Sequence, residues 1–247
     1  MPVGGFYANP GWNTGAWGSG GPGRLLPGGA GGGYSGARWH GARVMLVTGI
    51  KSKPVYAPLQ ADTAGRYHLM LGHGVGAAPL LGVLDELGRS GPLAAGRASV
   101  LYVADLTAAG NFGERFRTSA SDVRLFDRIT DLLADFRTIL TGSFMGTRLY
   151  VAGPESFIGL AMKIALEFNL NKDEIRAEAC GTLARRVYCI HCRATTENVR
   201  TSIAKCIDCG RHLIVRDHYS RRFAAYMGVM VDAEVPGELP PIKELFV

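Results

Sequence analysis

The sequence predicts a doubly wound, mostly parallel α/β domain followed by a small zinc ribbon, with a glycine-rich tail ahead of both. Three observations carry this expectation. Apolar strands alternate with helical segments between residues 42 and 184, and glycine-rich turns sit at the strands' C-terminal ends. Two Cys-x-x-Cys pairs, Cys189/Cys192 and Cys206/Cys209, are separated by thirteen residues. Residues 1–41 hold all three tryptophans among repeated Gly-Gly and Pro-Gly pairs, without helical or strand period.

The elements follow in order. A tail so rich in glycine cannot pack a core, yet Trp12, Trp17 and Trp39 are unusual in a solvated linker, so it is expected to be loose alone and to lie on a partner. Ala42–Thr48 reads as a strand, and the prolines keep Tyr56–Leu59 extended. Tyr67–Leu71 is a buried strand that runs into a glycine-rich turn ending at Pro79, and Leu80–Leu87 has helical period up to Gly88. Strand, glycine turn and helix form the layout of a nucleotide-binding turn, because backbone N–H groups and a helix N-terminus suit a phosphate. Gly74-Val75-Gly76 falls short of the full dinucleotide fingerprint, since Pro79 and Leu80 occupy the later positions. Ala98–Ala104 is the next strand, with Asp105 at its edge. Residues 119–140 contain a long amphipathic helix, apolar at Leu125, Ile129, Leu132, Leu133, Phe136 and Leu140. Thr147–Ala152 is a strand leading to Gly153-Pro154, Phe157–Phe168 a helix, and Ile175–Ala179 the final strand.

The paired cysteine spacing places each pair on a tight turn at a hairpin tip, where four thiolates close a tetrahedron around one Zn²⁺. Iron in the same cage is the rival metal. The spacer holds enough β-formers for a strand out and a strand back, and Gly210 supplies a knuckle residue at positive φ. His191 and His212 are read as bystanders and Cys180 as packed or redox-silent. Nothing at the N-terminus resembles a secretory signal, so a reducing, cytoplasmic setting is expected, and disulfides are not.

The composition narrows the function classes. The chain has 247 residues, 47% of them hydrophobic, and a net charge of +6. No apolar run reaches the ~18 residues of a membrane span. The basic residues are scattered without a basic, aromatic-interleaved stripe, and Thr195, Thr196, Glu197 and Asn198 in the ribbon are neither basic nor aromatic. Neither membrane nor nucleic acid is therefore expected as a partner, and a nucleic-acid-binding ribbon stays only as an alternative. No catalytic triad, carboxylate pair or open metal site can be assembled from neighbouring residues, so no catalytic residue is assigned.

Several segments match a known pattern. Gly72–Leu81 resembles the glycine turn of the ferredoxin–NADP reductase superfamily. Leu101–Asp105, Tyr150–Phe157 and Ile175–Glu178 resemble that family's later motifs, in the same order. The resemblance implies that Gly74, Gly76 and Gly153 face a nicotinamide dinucleotide. Three departures stand against an active reductase. The residues ahead of the module are mostly glycine-rich where the family places a flavin-binding barrel. His73 replaces a glycine, and Ala152 replaces the cysteine beside the nicotinamide.

After the ribbon, Val215-Arg216-Asp217-His218-Tyr219-Ser220-Arg221-Arg222 follows. A reductase-like module, then the cysteine pairs, then this segment is similar to the small zinc-ribbon subunits of bacterial dimethylamine monooxygenase. That resemblance covers residues 42–247. It implies a heteromeric NADPH-dependent enzyme converting dimethylamine to methylamine and formaldehyde, with haem, FMN and [2Fe–2S] centres on sister subunits: a haem subunit and a flavin/iron–sulfur reductase subunit. The chain's own part is read as structural. The alternative is an active NAD(P)H-binding half that serves a flavin on another subunit. Arg216, His218, Arg221 and Arg222 are read as a partner contact, since planar guanidinium groups suit carboxylates or propionates. Tyr219, Phe223, Tyr226 and Met227 add an apolar stripe at helical spacing.

Overall fold

The computed structural model describes residues 52–90, 97–104, 112–143 and 145–247. The strand expected at 42–48, the three tryptophans and Asp105 lie outside the described residues. The described residues fall within one compact unit.

The first sheet has five parallel strands: β1 (Tyr67–His73), β2 (Ala98–Val103), β3 (Asp122–Phe126), β4 (Thr147–Gly153) and β5 (Ile175–Ala179). Their spatial order is β3-β2-β1-β4-β5, so chain direction across the sheet reverses between β1 and β4. The strands read as nearly continuous apolar runs because both faces are covered. Alternation along β1 explains the division. Leu69 and Leu71 face a core closed by α3 (Ile129–Thr141) and α4 (Glu155–Glu167), whereas Met70 faces one closed by α1 (Ala77–Ser90) and α2 (Phe112–Ser119).

Two sequence expectations are corrected here. The helix expected within residues 119–140 begins only at Ile129, and Asp122–Phe126 is a strand. Leu125 stands four residues before Ile129, which imitates a helical stripe. The segment instead completes the sheet beside β2, pairing Val100 with Val123 and Tyr102 with Leu125. Pairing to a formed sheet outweighs local period. Helix α2 was missed because Phe116 is its single buried residue, which leaves little apolar rhythm to read.

A strap at residues 52–62 wraps the β5 edge. Tyr56 packs on the α3/α4 face, the Leu59 N–H donates to Glu178 at 2.7 Å, and Leu59 and Ala61 pack on the opposite face. Asp62 then accepts from Arg148 at 2.6 Å. The strap thus lies over the β5 edge through side-chain contacts and shields it from pairing with another strand.

The second sheet, in the order β7-β6-β10-β9-β8, is built from β6 (Arg185–Cys189), β7 (Thr195–Val199), β8 (Ile203–Lys205), β9 (His212–Ser220) and β10 (Ala225–Met230). The spacer does supply two strands, but they do not pair with each other. β7 pairs with β6 and β8 with β9, so they form opposite edges of the sheet. The apolar stripe read at helical spacing is likewise a strand, a turn and a strand. Tyr219 and Tyr226 face each other across β9 and β10, with ring centroids 5.1 Å apart. Beyond β10 the chain returns to the β7–β8 connection, where Phe246 N–H donates to Arg200 O at 2.9 Å. Arg185, 7% exposed, lies between the rings of Tyr226 and Phe246, its guanidinium 3.9 Å from each centroid, and pairs with Asp217 at 2.7 Å.

Candidate metal centre and nucleotide turn

The four cysteines meet where two hairpin tips approach: Cys189 at the end of β6 with Cys192 in the turn to β7, and Cys206 with Cys209 between β8 and β9. Their Sγ atoms all lie within 4.8 Å of one another, with Cys189–Cys209 at 3.7 Å and Cys192–Cys206 at 3.5 Å. A tetrahedron of sulfurs around an ion with metal–sulfur bonds of about 2.3 Å has edges of about 3.8 Å, so the donor set fits a metal of that size. The two turns repeat one backbone pattern. Cys189 N–H donates to Ala194 O and Arg193 N–H to Cys189 O, both at 2.9 Å. Cys206 N–H donates to Arg211 O at 2.9 Å and Gly210 N–H to Cys206 O at 3.2 Å. The residue after each second cysteine takes positive φ: +69° at Gly210, as the sequence suggested, and +69° also at Arg193. Nothing in the sequence marks Arg193 for that conformation. It follows from the repeat of the turn.

The electrostatics of four clustered thiols also suit a cation. Hydrogen bonds from the Arg211 backbone and side chain hold Cys209 down at about 6. Cys192 gains a lowering bond from the Ala194 backbone, but burial and proton sharing with Cys206 outweigh it and push the thiol up to about 12. One thiolate forms readily, and further negative charge is resisted until a positive ion balances it. His191 is exposed, with Nδ1 3.8 Å from Cys189 Sγ, and His212 is half-buried at the start of β9. Cys180 lies apart, its thiol pushed up by burial.

The turn after β1 is a 3₁₀ segment, Gly74–Gly76, leading directly into α1. It sits at the switch point between β1 and β4, where an open α/β sheet holds its ligand. Gly76 is crowded: an added Cβ would overlap the carbonyl of Ala152 and lie 2.8 Å from Gly153 N. Gly74 has φ +55° and accepts the Tyr102 hydroxyl at 2.9 Å. Gly153, at φ +150°, leaves only 3.1 Å between its Cβ position and that of His73. The ring of His73 lies against Phe157. The chain leaving β5 then crosses this end of the sheet. Cys180 N–H donates to Gly153 O at 2.9 Å, and Gly181 packs beside Val75 and Pro154. All three glycines therefore have packing reasons that involve no ligand.

Arg216 is exposed and His218 half-buried on β9, while Arg221 and Arg222 are exposed in the β9–β10 turn. They sit on one hairpin, not in one contact cluster with the cysteines. Sequence reasoning missed Glu155, which stands at the start of α4 and joins the two sheets. It accepts from the Tyr226 hydroxyl at 2.6 Å. Burial first, and then Glu155 through charge and a hydrogen bond, pushes the Tyr56 hydroxyl well above its ordinary range. A lone glutamate after Gly-Pro gave no signal of this role.

The combination defines a class: a parallel, five-stranded α/β domain followed by a β-sheet that carries a four-cysteine cluster. Residues 48–175 match the family described as "Dimethylamine monooxygenase subunit DmmA-like, N-terminal domain", and residues 186–229 match the corresponding C-terminal domain. The chain belongs to the DmmA-like family. It is also 33% identical over 111 residues to the heme-dependent oxidative N-demethylase delta subunit of Ectopseudomonas mendocina (strain ymp), a match spanning 45% of this chain and 63% of that protein. Similarity to solved structures is low. An intact type IV self-sufficient cytochrome P450 monooxygenase gives a TM-score of 0.40 at 15% identity, over 72% of this chain and 22% of the other. The ferredoxin reductase in carbazole 1,9a-dioxygenase gives 0.36 at 15% identity, over 50% and 34%. At these scores neither bears on function. No helix among the described residues is long and apolar enough to cross a membrane.

Proposed function

We propose that this chain is an assembly subunit of a cytoplasmic, NADPH-dependent oxidative N-demethylase acting on dimethylamine, and that it neither binds flavin nor transfers a hydride. Cys189, Cys192, Cys206 and Cys209 hold one Zn²⁺, which fixes the ribbon and leaves no open coordination position for substrate. Haem, FMN, [2Fe–2S] and NADPH belong to sister subunits: a haem subunit and a reductase subunit. Arg216, His218, Arg221 and Arg222 form the contact with an acidic partner surface or a haem propionate. Family membership and the named delta-subunit relative support the enzyme class. The observation that carries the non-catalytic role is the crowding at the switch point, where Gly76 is packed on Ala152 and the Cys180–Gly181 segment crosses the turn.

The retained strand, turn and helix favour a second reading, in which the turn still holds NADPH for a flavin on another chain. Purification of the whole complex separates the two. Zinc at one ion per chain is expected, together with NADPH-driven flavin reduction that Gly74→Trp leaves unchanged. Stoichiometric iron would replace the zinc assignment. Slowed reduction in Gly74→Trp, with micromolar NADPH binding to the free chain, would establish the second reading.

A further inference from the structure

A cavity of about 350 Å³ lies at the seam between the sheets, outside the metal centre and the glycine turn. Its walls are the strap at Pro54–Leu59, one side of α4 at Gly159, Met162 and Leu166, the β5 residues Ile175–Ala177, and Tyr219 with Arg221 of the ribbon sheet. Cavities of this size, apolar with a few polar groups, are those that enclose small organic ligands.

Three properties of the lining define what it would take. Its body is aliphatic: prolines, Val55, Met162, Leu166 and Ile175. Its charged members are Lys172, Arg176 and Arg221, with no Asp or Glu among them. Arg176 is partly engaged, donating to Asp173 O at 2.8 Å and reaching Asp62 at 3.5 Å. Lys172 and Arg221 are exposed at the mouth. The third property is the hydroxyl of Tyr219. It is buried without a hydrogen-bond partner among the described residues, on a side chain 9% exposed, and it abuts Gly159, where an added Cβ would collide with it. Burial, and then the neighbouring Glu155, pushes that hydroxyl up to about 12, so it remains a donor at neutral pH. A buried donor left unmatched is costly unless something supplies an acceptor.

We propose that this seam cavity binds a small amphiphilic carboxylate, its hydrocarbon part against Met162, Leu166 and Ile175 and its charge met by Lys172, Arg221 and the Tyr219 hydroxyl. The first 51 residues contain no Asp or Glu, so that part of the chain has no side-chain carboxylate to offer the same cations. Because the walls come from both sheets, the ligand bridges the strap, α4 and the ribbon sheet, and its binding strengthens the seam.

Octanoate is the test ligand, titrated calorimetrically into the full-length, metal-loaded chain, with 1-octanol and octylamine as neutral and cationic controls. Saturable octanoate binding is expected, about tenfold or more tighter than either control. Reversing the mouth charges with Lys172→Glu and Arg221→Glu, both at exposed positions, should weaken octanoate about tenfold while metal content and circular dichroism stay unchanged. Tyr219→Phe should weaken octanoate about fivefold without lowering the melting temperature of the free chain, because it removes an unmatched donor. Octanol binding as tightly as octanoate, affinity unaffected by the charge reversal, or no saturable binding of octanoate would each overturn the proposal.

Discussion

The two sheets of this protein each have five strands but are held together differently. The parallel sheet buries both faces, with Leu71, Leu101 and Val151 under one helical layer and Met70, Val100 and Tyr150 under the other. Its cohesion comes from apolar area removed from water. The ribbon sheet has one small cluster, in which Cys189 and Cys206 are themselves core residues and Cys192 and Cys209 pack at its margin. A small sheet of this kind lacks the apolar area to hold itself and relies on crosslinks or a metal. Removing the metal should therefore separate the two regions.

The largest expected effect follows directly. Cys206→Ser, or strong chelation of the wild type, should abolish protection of the β6–β10 amides in hydrogen-exchange mass spectrometry. Structural zinc contributes on the order of 10 kcal/mol to such small folds. Protection in β1, β2 and β4 should persist. Cys180→Ser should leave metal content unchanged. If Cys206→Ser strips protection from both sheets equally, they form one cooperative unit and the contrast fails.

Gly76→Ala acts on the other sheet. The new methyl group meets backbone at Ala152 and Gly153, not the far end of a flexible side chain, so the turn or β4 must shift. A loss of about 3 kcal/mol is expected in denaturant unfolding monitored at the α/β domain. The ribbon's metal content should not change.

How much of this was readable in sequence follows the same division. The cysteine spacing pointed to the four-cysteine cluster that the fold brings together, because coordination geometry admits few arrangements. The strands β1, β2 and β4 were legible because burial on both faces makes their apolar runs continuous. Edge strand β3 was not, since its residues are half-buried or exposed and Leu125 falls in phase with the helix that follows. The β9–β10 hairpin was misread because residues 219, 223 and 226 share helical spacing by coincidence of a four-residue turn. The seam was the least visible part. Glu155, Tyr56, Arg185 and Tyr226 come from distant segments and meet only in the fold.

Acid should weaken the α/β domain by two routes, through His68 and through Asp62. His68, 2% exposed and 3.3 Å from the Tyr150 hydroxyl, has its pKa depressed, chiefly by burial. The unfolded chain takes up that proton near the ordinary value of 6.5, and the folded chain does so only at lower pH. Below 6.5 the unfolded state binds more protons, so stability falls as pH falls. Asp62, held below the usual carboxylate range by its hydrogen bond to Arg148, matters only at lower pH. Its contribution is present above its unfolded value of 3.8 and is lost as pH falls through its folded value. Between pH 7 and about pH 5, His68→Gln should therefore flatten the pH dependence of unfolding of the α/β domain. An unchanged slope would mean that the imidazole titrates alike in both states.

The smallest expected effect is also the most discriminating. Gly82 lies inside α1 with open space around its Cβ position, so Gly82→Ala removes backbone freedom from the unfolded chain without meeting any neighbour. A gain of about 0.5–1 kcal/mol is expected. Hydrogen exchange should report it in the slow amides of β1 and β4, which open only with the whole α/β domain. If the ribbon is held by its metal, the amides of Val187 and Tyr226 should keep their original protection, because their opening does not require α1 to unfold. An equal gain at those amides would mean that the bonds of Glu155 to Tyr226 and Tyr56 couple the sheets strongly enough for them to open together. A stabilisation of this size leaves the native contacts untouched, so a response in the ribbon can be assigned to coupling across the seam and not to damage.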